Sequence, residues 1–418
     1  MKLIATSDWH IGNLFHGYDR LPEHKHFMNW LLDKLQVEQP DALLIAGDIF
    51  DNVNPSAAAQ SAYYEFLADA TEKCGRMNII ITAGNHDSAS RLEAPRPMLA
   101  KHNVHIRGNV RRTWVDGSWI NDYDDLIIPI ENAEGEKVVI LAVPYLRTDG
   151  ICGSNYSKGV NEFLHALTSR ARELYPGCTL VMMAHMYAKG SEIATKDASE
   201  KIVIGGQEEV NMEGWTDHPD YMTCGHIHKR QHIWNTDWAR YTGSILPMSF
   251  AEVDYKHGVD VITFEGSGKR TVNFLEYTPQ HKLRILPETD EELTEAKLKK
   301  LIDKSLKDRG TDGKLTDSFE YVVIRVKQEK VNNDQVNELE ALVNSKDAVL
   351  CRIQKIIPGL SLTTVVGNKC IVSIDDILDR DPMESLSEAF VLKHQSEMSE
   401  RQSNMLKDII TSIRNEHK

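Results

Sequence analysis

Short runs of β-branched and aliphatic residues, each closing on a polar cluster, recur through the first two-thirds of the chain. They predict strands at Lys2 to Ser7, Ala42 to Ala46, Asn78 to Ala83, Val138 to Val143, Leu180 to Ala184 and Met222 to Cys224. Between some of them the apolar spacing becomes helical. His24 to Leu35 carries Phe27, Trp30, Leu31 and Leu35, and Ala57 to Ala70 carries Tyr63, Phe66 and Leu67. Strands alternating with helices predict an α/β layer architecture.

The pattern changes after about residue 280. Asp290 to Leu306 predicts an amphipathic helix with Leu293, Leu301, Ile302 and Leu306 on its apolar side, followed by a strand at Phe319 to Val326. A second helix, Asn333 to Val343, carries Val336, Leu339 and Val343, and a second strand spans Val349 to Ile357. This α-β-α-β unit is long enough for a small domain and holds no obvious chemistry. Near the end, Asp381-Pro382-Met383-Glu384 combines an N-cap, a first-turn proline and an acid three residues after the cap, which announces a helix. Glu397 to Arg414 predicts another, with Met398, Met405, Leu406, Ile409, Ile410 and Ile413 along one face. That stripe suits packing on its own domain or docking on another chain.

Composition narrows the class. At 418 residues the chain exceeds one compact unit, and 41% hydrophobic with 26% charged residues is globular. No apolar run has the length that crosses a bilayer, so no membrane association is expected. The amino terminus lacks the basic and apolar segments of an export signal, which places the chain in the cytoplasm. Its six cysteines form no C-x-x-C pair, against both a disulfide framework and a zinc knuckle. A net charge of −14 is the wrong sign for wrapping DNA unaided. A nucleic-acid enzyme of this composition would draw positive charge from bound metal ions or from a partner subunit.

Five short motifs carry the chemistry. Asp8-Trp9-His10 follows the first predicted strand, Gly47-Asp48 the second, Gly84-Asn85-His86-Asp87 the third, His185 the fifth and Gly225-His226-Ile227-His228 the sixth. Every motif lies at a strand's carboxyl end, where an open α/β sheet forms its ligand crevice, so residues far apart in sequence are expected to converge. Carboxylates, imidazoles and one amide oxygen without a thiolate suit a pair of borderline-hard cations. Two such ions need a bridging ligand, and Asp48 is the candidate. Glycine before the ligand in three motifs (Gly47, Gly84, Gly225) is expected to permit the tight turns that re-aim the chain.

D-x-H, G-D, G-N-H-D, H and G-H-x-H in this order resemble the signature of the calcineurin-like metallophosphoesterases over roughly the first 250 residues. The resemblance implies a two-layered β-sheet core flanked by helices and a dinuclear centre. It assigns Asp8, His10, Asp48 and His228 to one metal, and Asp48, Asn85, His185 and His226 to the other. His86 corresponds to the family's catalytic histidine, which donates a proton to the leaving oxygen, and Asp51 to an acid that orients it. Manganese is the expected metal, with iron or magnesium as alternatives.

The second motif continues as Ile49-Phe50-Asp51-Asn52-Val53 and lacks the Arg-Gly of the family's protein phosphatases. Asn54-Pro55, Arg91-Leu92, Val143-Pro144-Tyr145-Leu146, Gly243-Ser244-Ile245-Leu246-Pro247 and Ser249-Phe250 are instead similar to the family's nuclease-subunit branch. That branch implies a DNA exonuclease on double-stranded ends and endonuclease on hairpins and single strands, acting in repair, recombination and replication. Its members pair with an ATPase bearing long coiled coils, as a homodimer within a heterotetramer. The implied domains are a nuclease domain over 1–279, a small α-β-α-β DNA-capping domain over 280–376 and C-terminal helices over 377–418 that grip the partner's coiled coil. The alternative is a phosphodiesterase or phosphatase of small molecules or nucleotides. Arg91, Lys229 and Arg230 are the DNA-contact candidates, with Arg111 and Arg112 also near motif ends. His16, His24 and His26 are candidates for the mouth of the crevice.

Overall fold

The computed structural model describes residues 1–147, 155–193, 209–212, 215–265, 269–288, 293, 295–326, 333–355, 363–366 and 369–371. Two compact units divide between Gln280 and His281. The helices expected after Asp381 lie outside the described residues.

The first unit is built on two six-stranded sheets. One runs Lys269–Tyr277, His257–Glu265, Lys2–Thr6, Ala42–Ala46, Asn78–Thr82, Val104–Arg107, its last four strands parallel. The other runs Gln231–His232, Ala239–Tyr241, Tyr221–Gly225, Thr179–His185, Lys137–Ala142, Ile127–Glu131, with its four inner strands parallel.

Alternation along each strand explains the layering. Leu3, Ala5, Leu44 and Ile80 of the first sheet share a buried cluster with Ile140, Val181 and Met183 of the second, so these faces meet. The opposite face of the first sheet (Ile4, Leu43, Ile45, Ile79, Ile81) packs on Phe27, Leu31 and Leu35 of helix Leu21–Glu38 and on Tyr63, Phe66 and Leu67 of helix Ala57–Lys73. The outer face of the second sheet (Val139, Leu141, Leu180, Met182) packs on Val160, Phe163, Leu164 and Leu167 of helix Tyr156–Leu174. A strand buried on both faces must be apolar throughout, which is why Ala42–Ala46 reads ALLIA. The two-layered core flanked by helices is therefore present.

Ser56 caps its helix by accepting from Ala59 N at 3.2 Å, and Asn155 caps Tyr156–Leu174 by accepting from Lys158 N at 2.9 Å. No described helix is long and apolar enough to cross a membrane.

The second unit contains the expected helix, strand, helix, strand succession as Glu295–Ser305, Glu320–Val326, Asn333–Asn344 and Ala348–Lys355. Strand Leu283–Leu286 precedes it, and Thr363–Val366 and Lys369–Ile371 follow, completing a five-stranded sheet. Its core joins Leu286, Ile302, Val322, Ile324, Val343 and Ile353.

Candidate metal centre

Three parallel neighbours of the first sheet, Lys2–Thr6, Ala42–Ala46 and Asn78–Thr82, end in the loops carrying Asp8 and His10, Asp48, and Asn85 and His86. Two parallel neighbours of the second sheet, Thr179–His185 and Tyr221–Gly225, deliver His185, His226 and His228. The ladder of the first sheet continues beyond its strands, since Asp8 N donates to Gly47 O at 3.1 Å, His10 N to Asp48 O at 3.0 Å and Ile11 N to Ile49 O at 2.9 Å. Two bonds tie the sheets together at the site: His226 N donates to Asp8 Oδ1 at 2.9 Å and His185 Nδ1 to Ala46 O at 3.0 Å.

All seven predicted ligands converge. Asp8, His10 and His228 offer ligand atoms within 4.8 Å of one another, as do Asp8, Asp48 and His185. Asp48 lies between the groups, its Oδ2 3.3 Å from His185 Nε2 and 3.7 Å from His10 Nε2. Asn85 Oδ1 is 3.0 Å from both His185 Nε2 and His226 Nδ1.

The donor chemistry fits divalent cations. With Nδ1 donating to a carbonyl, His185 turns Nε2 towards two oxygens that are themselves acceptors, a contact that a positive charge resolves, whether a proton on Nε2 or a cation in its place. His10 is buried with neither ring nitrogen hydrogen-bonded, a costly condition unless a ligand bond replaces it. The electrostatics agree in sign. Burial alone would lower His185, yet the Asp48 carboxylate raises it to about 9. Burial would raise Asp48, but His185 and His10 hold it well below the usual carboxylate range. Burial and the neighbouring His185 push His226 down to about 3, leaving a neutral ring with a lone pair to offer.

The tight turns arise differently from expectation. Gly47 does adopt a left-handed φ of 83°, but so do the candidate ligands Asp8 (52°), His10 (47°), Asp48 (49°) and His226 (98°). These are conformations that L-residues adopt at a cost and that cluster at functional sites. Gly84 serves for space, since a Cβ there would lie 2.1 Å from Asp48 Oδ1.

His86 adjoins this cluster, with a ring nitrogen within 4.8 Å of ligand atoms of His10 and Asp48. Its backbone N donates to Asp48 Oδ1 at 2.8 Å, and its ring lies 4.9 Å from that of His10. The expected Asp51–His86 carboxylate pairing is not formed. His86 Nδ1 donates instead to the backbone carbonyl of Asp51 at 2.9 Å. The Asp51 carboxylate turns away, accepting from Asn13 Nδ2 at 2.9 Å and lying 3.5 Å from His10 Nδ1. Asp51 therefore acts on His86 through main chain and on His10 through side chain.

Most of the basic candidates are already neutralised. Arg230 pairs with the buried Asp260 at 2.7 Å and lies over Phe274, while Lys229 pairs with Glu192. Arg111 lies 3.6 Å from Asp125, and Arg112 covers Trp119. Arg91 is exposed on the short helix Ala89–Glu93. Of the crevice histidines, His24 is buried between the carbonyls of Arg20 (2.8 Å) and Trp9 (2.9 Å), and His26 bonds Tyr277 Oη at 2.7 Å. Those two hold the fold; His16 is exposed beside Phe15 and Phe250.

Sequence reasoning missed three neighbours. Asp87, the last residue of its motif, accepts from Ile49 N, Phe50 N and Gly84 N at 3.1, 3.0 and 2.9 Å, stitching the second loop to the third. Glu252 is fully buried with Oε1 3.1 Å from His228 Nδ1. Arg147 rests on the backbone of the third motif. Asp87 was visible inside a motif and Arg147 directly after Tyr145-Leu146; Glu252, a lone acid far from any ligand in sequence, gave no signal.

Residues 1–230 match the calcineurin-like phosphoesterase family. The SbcD component of the SbcCD nuclease of Rhodobacter capsulatus is 34% identical over 277 residues, covering 64% of this chain and 67% of the relative. Proteins of the same name from Escherichia coli K12 (27% over 299 residues, 68% and 70% covered) and Bacillus subtilis (28% over 275, 63% and 66%) are also similar.

Proposed function

We propose, from the premise that the chain belongs to the calcineurin-like phosphoesterases and among them to the SbcD nucleases, how its own residues carry the reaction and on what substrate. The chain is a metal-dependent nuclease, a hydrolytic phosphodiesterase that uses divalent metal ions. Asp8, His10, Asp48 and His228 would hold one ion, and Asn85, His185 and His226, together with Asp48, the other. The observation carrying this reading is the buried Asp48 Oδ2 flanked by imidazoles from the two sheets, 3.3 Å from His185 and 3.7 Å from His10. Bound there, a metal pair supplies Lewis-acid activation of water and neutralises charge on the phosphoryl group being cleaved.

His86 is the general acid. Its Nδ1 proton is committed to Asp51 O, which leaves Nε2 to deliver a proton to the departing oxygen. Burial keeps its pKa below the ordinary imidazole value. Asp51 positions both His86 and His10, and Asp87 fixes the loops between them.

The oxygen and nitrogen donor set, with no thiolate, favours manganese, with iron or magnesium also suited to it. The substrate is DNA, cut from double-stranded ends and within hairpins and single strands. An SbcC-type ATPase with long coiled coils is the partner, in a heterotetramer containing two copies of this chain, and supplies the basic surface that a net charge of −14 denies it. The place of action is the cytoplasm. Mn2+-dependent cleavage of linear duplex DNA, measured beside that of a small chromogenic phosphodiester, tests the substrate. Robust hydrolysis of the diester with none of DNA refutes it.

A further inference from the structure

Among the cations flanking the motifs, Arg147 is held against the candidate metal-centre loop by backbone carbonyls and, among the described residues, by no carboxylate. After strand Lys137–Ala142 the chain crosses to the first sheet, with Val143 N donating to Met183 O at 3.0 Å and Tyr145 N to Ala83 O at 2.8 Å. Tyr145 sets its ring against His185 (centroids 6.1 Å apart), and the Arg147 guanidinium lies 5.6 Å from the Tyr145 ring. From there Arg147 Nη2 donates to Asn85 O at 3.3 Å and Asp87 O at 3.4 Å, the carbonyls on either side of His86.

This anchoring uses one nitrogen of the guanidinium and none of its charge. Carbonyl oxygens orient the group without neutralising it, the side chain is exposed, and Nε and Nη1 carry no bond to a described residue. Lys229, Arg230 and Arg111 are by contrast within ion-pair distance of acids. Arg91 is exposed, and its side chain bonds no described residue. In a chain of net charge −14, an oriented guanidinium beside the proposed general acid, paired with no described acid, is a site for an anion. Its planar fork matches a phosphate bidentately.

We propose that Arg147 is a substrate-binding residue that clamps a DNA backbone phosphate next to the one being cleaved, presenting the scissile ester to His86. The proposal rests on the nuclease reading above and adds a residue to it. One phosphate contact contributes about 0.9 to the slope of log affinity against log salt on duplex DNA and about 0.7 on a single strand. The test uses the full chain with Mn2+ and a linear duplex, with KM and kcat measured over a series of salt concentrations, for the unvaried protein, Arg147→Ala and Arg147→Lys.

The expected result for Arg147→Ala is KM raised about tenfold or more at moderate salt and a salt slope shallower by about one. The fall in kcat should be smaller than the rise in KM. Arg147→Lys keeps the charge and should restore most of the slope while KM stays raised, because a point charge replaces a fork. An unchanged slope and KM in Arg147→Ala overturns the proposal. So does a fall in kcat with an unchanged slope, which would make Arg147 a brace for the loop. If the unvaried chain cleaves only a small diester and never DNA, the nuclease reading falls with it; cleavage of DNA with a slope indifferent to residue 147 sinks this inference alone.

Discussion

Removing Glu252 should loosen the metal centre without touching a ligand. The carboxylate is fully buried, accepts from Met248 N at 2.8 Å through Oε2, and holds His228 Nδ1 at 3.1 Å through Oε1. With Nδ1 donating, the His228 lone pair lies on Nε2, and the acid both fixes that tautomer and raises the ring's basicity as a ligand. Loss of such a partner typically weakens metal binding 10- to 100-fold, or about 1.4–2.7 kcal/mol. Glu252→Ala also orphans Met248 N, which costs the fold a further ~1–3 kcal/mol. Glu252→Gln has one acceptor oxygen for two donors and should fall between. Calorimetric titration of Mn2+ into the metal-stripped protein, with thermal unfolding alongside, reads both quantities separately. If Glu252→Ala remains folded and binds Mn2+ within twofold of the unvaried protein, the coupling through His228 is wrong and the acid is merely structural.

Three further outcomes are expected. His86→Ala should reduce DNA cleavage at least a hundredfold, the low end for general acid catalysis, while metal content stays at its original stoichiometry; loss of metal would make His86 a ligand. Gly84→Ala forces a Cβ to within 2.1 Å of Asp48 Oδ1, so it should lower bound metal and destabilise the fold by about 1–3 kcal/mol, read by metal analysis and urea unfolding. His257, lowered to about 4 by burial while its Nδ1 donates to Ser244 O, binds a proton near pH 6.5 only when unfolded. Its contribution is therefore intact above pH 6.5 and lost as pH falls towards 4. It accounts for about 2 kcal/mol between pH 6.5 and 5, and His257→Asn should flatten the urea-measured pH dependence by that amount.

The strands that position the site were legible because each is buried on both faces and reads as a continuous apolar run, as in Ala42–Ala46 and Thr179–His185. The convergence of all seven candidate ligands followed from motif order and strand-end placement. Other elements escaped for identifiable reasons. Lys269–Tyr277 has one partly exposed face and His257–Glu265 contains the buried Asp260, whose charge only tertiary structure answers, through Arg230. Helix Tyr156–Leu174, with Val160, Phe163, Leu164, Leu167 and Ala171 buried, lay within reach of the same periodicity argument and was passed over. The resemblance assigns the Asp51 carboxylate to His86, and sequence carries no information on main-chain direction that could correct it. It is the Asp51 carbonyl that faces the ring.

Anomalous scattering from crystals soaked in Mn2+ locates the ions themselves. Two peaks about 3.5–4 Å apart are expected, one among Asp8, His10 and His228, the other among Asn85, His185 and His226, with the Asp48 carboxylate between them. A single peak, or a pair that leaves Asp48 uncoordinated, contradicts the two-metal assignment.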